Sequence, residues 1–169
     1  MTMSVKSWLT SLLAVTMLSA GATAGLGHGT WRRALRLYEN GMYQQAQVLF
    51  EAMPRDALTE GYAVLCAVKL RTDDYVERFD DYRLRYPAST LSGPLHFEHG
   101  RILFDAGKYR QAATEFGFVS MDDLQEGELP EYVFKCGYSA FALGRYAEAA
   151  QFFSLLESLP QTDFTPAAR

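Results

Sequence analysis

Two histidines three residues apart, His96 and His99, are the residues of this chain best spaced for metal chemistry. On a helix, positions i and i+3 share a face, as a pair of imidazole ligands would need. Two ligands fall short of the three that an open catalytic zinc site uses, and nothing else nearby stands at ligand spacing. The two cysteines, Cys66 and Cys136, are too few for a disulfide-rich scaffold or a four-thiolate zinc site. Neither has a histidine at hydrogen-bonding register in its own stretch of chain to activate it as a nucleophile. Acidic residues gather at Asp73, Asp74, Glu77, Asp80 and Asp81, and again at Asp122, Asp123, Glu126, Glu128 and Glu131. Their order lacks the alternating D-x-D-x-D-G of a calcium loop, so they read as solvated helix surface and loop. These patterns lead us to expect no catalytic residues, no metal and no cofactor.

The composition bounds the class of chain. At 169 residues, with 49% hydrophobic and 21% charged, the chain has the make-up of one globular domain or a short repeat array. Its 14% aromatic content supplies more burial than a disordered polar segment carries. A formal net charge of −4 argues against nucleic acid as a partner, because duplex binding wants a basic face. The first 24 residues read as a secretory signal: Lys6 at the start, an apolar run from Trp8 to Leu18, then small residues ending at Ala24. Cleavage is expected after Ala24, with Ala20 the next candidate and an uncleaved anchor the rival. No cysteine follows either point for lipid attachment.

The remainder repeats itself. Gly41-Met42-Tyr43-x-x-Ala46-x-x-x-Phe50 recurs as Gly107-Lys108-Tyr109-x-x-Ala112-x-x-x-Phe116 and as Gly144-Arg145-Tyr146-x-x-Ala149-x-x-x-Phe153. A weaker copy is Asp73-Asp74-Tyr75-x-x-Arg78-x-x-x-Tyr82, so the tyrosines fall at 43, 75, 109 and 146. Each glycine follows an apolar-periodic stretch, where a helix end calls for the left-handed conformation. The alanines suit close approach of two helix backbones, and each phenylalanine lies one turn further along the same face. Helices are expected over 30–39, 43–53, 59–70, 74–86, 92–106, 109–119, 129–143 and 146–158, with no sheet. Repeat 2 breaks step: Lys69 falls where the others have Leu37, Leu103 or Ala140. A one-residue shift, bringing Ala63, Cys66, Ala67 and Leu70 inward, predicts a shorter turn there. Cys66 and Cys136, two repeats apart, are then free buried thiols beyond disulfide reach.

This periodicity, with prolines at 54, 87 and 160 where second helices should stop, resembles the tetratricopeptide (TPR) repeat family. The resemblance implies an all-α fold, a right-handed superhelical solenoid of about four helix–turn–helix units near 28–54, 59–87, 92–121 and 129–160. These would make one repeat domain over 25–160, with 161–169 the start of a further repeat or a tail. It also assigns His96 and His99 to packing between helices. First helices of TPR units line a concave groove, and the family's groove positions fall here on particular residues. The fifth position gives Trp31, Ala63, Phe97 and Phe134, and the ninth Leu35, Ala67, Arg101 and Tyr138. The twelfth gives Tyr38, Leu70, Phe104 and Phe141, and the thirteenth Glu39, Arg71, Asp105 and Ala142. The implied partner-binding groove is therefore Trp31, Leu35, Tyr38, Phe97, Arg101, Phe104, Phe134, Tyr138 and Phe141. Aromatic and Arg side chains of this kind dominate interface energetics and suit a peptide with apolar anchors and an acidic group. The alternative for each ring is packing between helices, and for Arg101 an ion pair with Glu98 or Asp105.

In exported location and repeat style the chain is similar to bacterial envelope TPR proteins of the BamD and YbgF kinds. What that implies is a non-enzymatic interaction scaffold in the periplasm or cell envelope. Its partner would be a protein or peptide, such as an envelope or outer-membrane assembly component, with no small-molecule substrate. The competing expectation is a structural spacer, or the N-terminal part of a larger repeat protein, with no groove ligand.

Overall fold

The computed structural model describes residues 28–125, 127–160 and 163–164. The leader read from residues 1–24 lies outside them, as does most of 161–169. Among the described residues the chain is all-helical, with eight α-helices and no strand. They are α1 (28–39), α2 (Tyr43–Glu51), α3 (Ala57–Leu70), α4 (Tyr75–Arg85), α5 (Ser92–Asp105), α6 (Tyr109–Phe116), α7 (Glu128–Ala142) and α8 (Tyr146–Ser158), with a 3-10 turn at Met121–Asp123. None of the described helices is long and apolar enough to cross a membrane.

Four helix ends are closed the same way. Gly41 N–H donates to Tyr38 O (3.0 Å) and Met42 N–H to Leu37 O (2.8 Å). The same two bonds recur from Arg71 and Thr72, from Gly107 and Lys108, and from Gly144 and Arg145. This double closure needs a left-handed residue, and Gly41, Gly107 and Gly144 supply it at φ 73°, 71° and 74°. In the second hairpin Arg71 takes that conformation at φ 53°, the one non-glycine among the described residues to do so. The second turn is therefore longer than the others, not shorter: three residues separate Arg71 from Tyr75, where one separates Gly41 from Tyr43. The closure aligns Ala67, not Lys69, with Leu37, Leu103 and Ala140. Leu70, expected in the core, is exposed, while Ala63, Cys66 and Ala67 are buried as expected.

Across three of the turns an aromatic pair braces the two helices. Tyr38 meets Tyr43 at 5.5 Å between ring centroids, Phe104 meets Tyr109 at 5.4 Å and Phe141 meets Tyr146 at 5.6 Å, all edge to face. Below them Ala46, Ala112 and Ala149 are buried, allowing the helices to close up. Phe116 and Phe153 then pack onto Gly100 and Gly137, where any β-carbon would meet the ring at 2.5 Å and 2.9 Å. Helix α3 starts two residues ahead of expectation because Asp56 caps it. The Asp56 carboxylate accepts from Leu58 and Thr59 N–H, and the Thr59 hydroxyl accepts from Asp56 N–H. Pro54, Pro87 and Pro160 follow helix ends, as their lost N–H requires.

The core is three apolar clusters, centred on Phe50 and Cys66, on Phe79 and Tyr82, and on Phe97, Phe116 and Val133. From α2 to α8, extensive packing joins chain neighbours other than α4 and α5 (α2 to α3, α3 to α4, α5 to α6, α6 to α7, α7 to α8) and joins the first helices of successive hairpins, α3 to α5 and α5 to α7.

Candidate functional site

Stacking α3, α5 and α7 side by side brings one face of each together, and that face is charged. On α5 it carries Glu98, Arg101 and Asp105, and on α7 Glu131, Lys135 and Tyr138, at helical spacings of three and four. Lys69 and Arg71 reach it from α3. Arg101 sits at the centre. Its Nε and Nη2 donate to the two oxygens of Glu131 (3.0 and 2.8 Å), and its Nη1 donates to Glu98 (2.9 Å). Glu98 also accepts from Lys69, and Glu131 stands 3.6 Å from Lys135. Lys135 donates to Asp105 (2.9 Å), which also accepts from Arg71 (3.3 Å). Seven alternating charges thus run Lys69, Glu98, Arg101, Glu131, Lys135, Asp105, Arg71 across three hairpins.

Burial makes these pairings matter. Glu98 and Lys135 are only 8% and 7% exposed, so each would be costly without its partners. Burial works against the Arg101 charge, but Glu98 and Glu131 outweigh it and hold its pKa above the ordinary arginine value. Aromatic faces help: the Arg101 guanidinium lies 5.3 Å from the Phe97 ring centroid, and the Lys135 ammonium 4.4 Å from that of Phe104.

The nine expected groove residues divide into three groups. Trp31, Leu35 and Tyr38 of α1 belong to a half-buried knot in which Trp31 packs edge-on against Phe50 and Tyr62, and Tyr38 against Tyr43 and Tyr62. Burial pushes the Tyr38 hydroxyl well above the ordinary tyrosine pKa. Phe97 is sealed in the core against Phe116 and Tyr132, and Arg101 is saturated by carboxylates. Phe104, Phe134 and Tyr138 do come together, at 5.6 to 6.4 Å, with Phe164 against Phe134. Tyr138 and, beside Tyr146, Phe141 remain open to solvent. Arg101 pairs with Glu98, as one alternative held, but its second carboxylate is Glu131 rather than Asp105. The residues that sequence reasoning missed are Lys69, Glu131 and Lys135. The signal that marks Glu131 and Lys135 is a run of charges at three- and four-residue spacing on α5 and α7, helices otherwise apolar.

More than one opening lies along this face; one is walled by Lys69, Arg71, Glu98, Arg101 and Asp105 of the ladder itself. A cleft of about 210 Å³ forms where α1, α2, α3 and α5 meet the loop that leads into α7; Tyr38, Glu39, Tyr43, Lys69, Glu98 and Glu128 are among its walls.

The histidine pair lies elsewhere. His96 and His99 turn toward α6, where His96 Nδ1 is 2.7 Å and His99 Nδ1 3.7 Å from one oxygen of Glu115, with Phe79 edge-on to both rings. Burial opposes charge on Glu115, yet the His96 hydrogen bond and the nearby His99 imidazole prevail and hold its pKa down at about 2. Among the described residues no group of three or more His, Cys, Asp or Glu side chains is placed to hold a metal ion. Cys66 and Cys136 are free and buried, and burial pushes both thiols up to about 12. No family model, no curated protein and no solved structure matches this chain.

Proposed function

We propose that this chain is a non-enzymatic scaffold of tetratricopeptide type, exported to the bacterial cell envelope, that holds a protein segment along the face shared by α1, α3, α5 and α7. The observation that carries the reading is the fourfold recurrence of one helix closure, at residues 41, 71, 107 and 144. Hairpins repeated along a chain, each packed on its neighbours, stack into a solenoid whose first helices share a face. Two features support that face as the working one. It carries the open cleft at Glu39 and Glu128, and its far end leaves Tyr138 and Phe141 exposed. Aromatic anchors beside fixed charges are what a peptide-binding surface uses.

The reading is tested by placing a photo-crosslinking amino acid at Tyr38 or Tyr138 on the shared face, and at Leu84, which is 78% exposed on α4. Crosslinking in the native cell should give one discrete adduct from the first two positions and none from Leu84. No adduct, or the same adducts from all three, would instead mean a spacer without a ligand. Export is checked by N-terminal sequencing of the protein from the periplasm, which should begin at Gly25.

A further inference from the structure

Resting on that reading, we infer that the cleft between α1, α3 and α5 receives a basic side chain, lysine or arginine, of the bound protein segment. At about 210 Å³ the cleft is smaller than the roughly 300 Å³ at which small-molecule and cofactor pockets begin, so its size fits one side chain. Its walls give the charge of that side chain. Glu39, Glu98, Asp123 and Glu128 line it, against one cation, Lys69. Glu98 is engaged by Lys69 and Arg101, but among the described residues no cation pairs with Glu39, Asp123 or Glu128. Asp123 and Glu128 accept backbone N–H groups, from Ser120 and Gln125, and no cation among the described residues balances either charge.

The aromatic wall agrees. Tyr38 and Tyr43 stand together at 5.5 Å, and the chain's own Lys69 ammonium already lies 5.9 Å from the Tyr43 ring centroid. The protein thus places one cation against these rings, and the carboxylates around them call for a second. An acidic side chain, the partner expected for an aromatic groove centred on Arg101, would meet a guanidinium already saturated and three carboxylates that no cation among the described residues pairs.

The test is an NMR titration of the ¹⁵N-labelled protein with N-acetyl-arginine amide, and with N-acetyl-citrulline amide as the neutral isostere. The arginine amide should shift Glu39, Tyr43 and Glu128 resonances saturably, and the citrulline amide should not. Glu39→Gln/Glu128→Gln, a change at the cleft rim, should weaken that binding about tenfold with an unchanged far-UV circular dichroism spectrum. Lys69→Met removes the competing cation while Glu98 keeps Arg101, and should tighten the binding about threefold or more. The inference is overturned by equal shifts from citrulline amide, by unaltered affinity in the double Gln variant, or by no saturable shift at these residues. Arginine binding without any crosslinked partner would sink the scaffold reading alone; a crosslinked partner without arginine binding would sink the cleft assignment alone.

Discussion

Replacing Arg101 with methionine keeps an unbranched side chain over Phe97 and deletes the charge at the centre of the seven-residue ladder. Glu131 loses both guanidinium bonds (3.0 and 2.8 Å) and Glu98 loses one (2.9 Å). Removing one partner of a fully buried ion pair costs about 3–5 kcal/mol, and of an exposed pair about 0–1 kcal/mol. The two carboxylate side chains are 11% and 13% exposed, which places this site toward the buried limit. Each keeps a second cation, however: Lys69 for Glu98, and Lys135 at 3.6 Å for Glu131. The expected loss is therefore about 2 kcal/mol, or roughly 4–8 °C in Tm for a domain of this size. Urea unfolding followed by far-UV circular dichroism reads the whole helical array. A cycle with Glu131→Gln should give a coupling of about 1–2 kcal/mol between the two positions. A loss under about 0.5 kcal/mol, the range of ordinary surface changes, together with zero coupling, would refute the claim that the ladder ties the three hairpins.

Other consequences are independent of Arg101. Arg71→Gly should raise stability by about 0.5–1 kcal/mol in the same unfolding assay, because it relieves the left-handed strain at φ 53°. It gives up only an exposed 3.3 Å pair with Asp105. Gly100→Ala drives a methyl group into Phe116 at 2.5 Å and should cost about 1–3 kcal/mol, whereas the same change at solvent-facing Gly29, with nothing within 4 Å, should not destabilise. Glu115, whose pKa falls from 4.5 to about 2 in the fold, contributes stability that is present above the higher value and lost as pH drops through the window between them. Glu115→Gln should therefore be less stable than the parent at about pH 6, and the gap between their melting temperatures should close toward about pH 2.

Much of the helical framework was legible because its signals are local. The Gly-x-Tyr-x-x-Ala-x-x-x-Phe copies located three of the four closures, and the ring pairs Tyr38–Tyr43, Phe104–Tyr109 and Phe141–Tyr146 follow from the same spacing. The second closure escaped because Arg71 carries no compositional mark of a left-handed residue. The face was harder to read than the helices. Phe97 looks like a groove ring in its own repeat, but Tyr132 of the next hairpin closes over it. Arg101 looks like a free cation because its bidentate partner, Glu131, stands 30 residues away. Glu131, which reads as solvated surface on its own helix, joins the partly buried centre of a ladder once three helices stack, and no single repeat contains that information.

The repeated stack itself is tested most directly by electron-spin distances between labels at equivalent exposed positions of the four hairpins: Gln44, Val76, Arg110 and Ala147, one residue after each repeat tyrosine. With Cys66 and Cys136 replaced by serine, the distance from position 44 should grow at each step to 76, 110 and 147, by roughly 10 Å per hairpin as packed helices are spaced. A distance from 44 to 147 no longer than that from 44 to 110 would mean that the hairpins close into a globule, and would contradict a shared face running from α1 to α7.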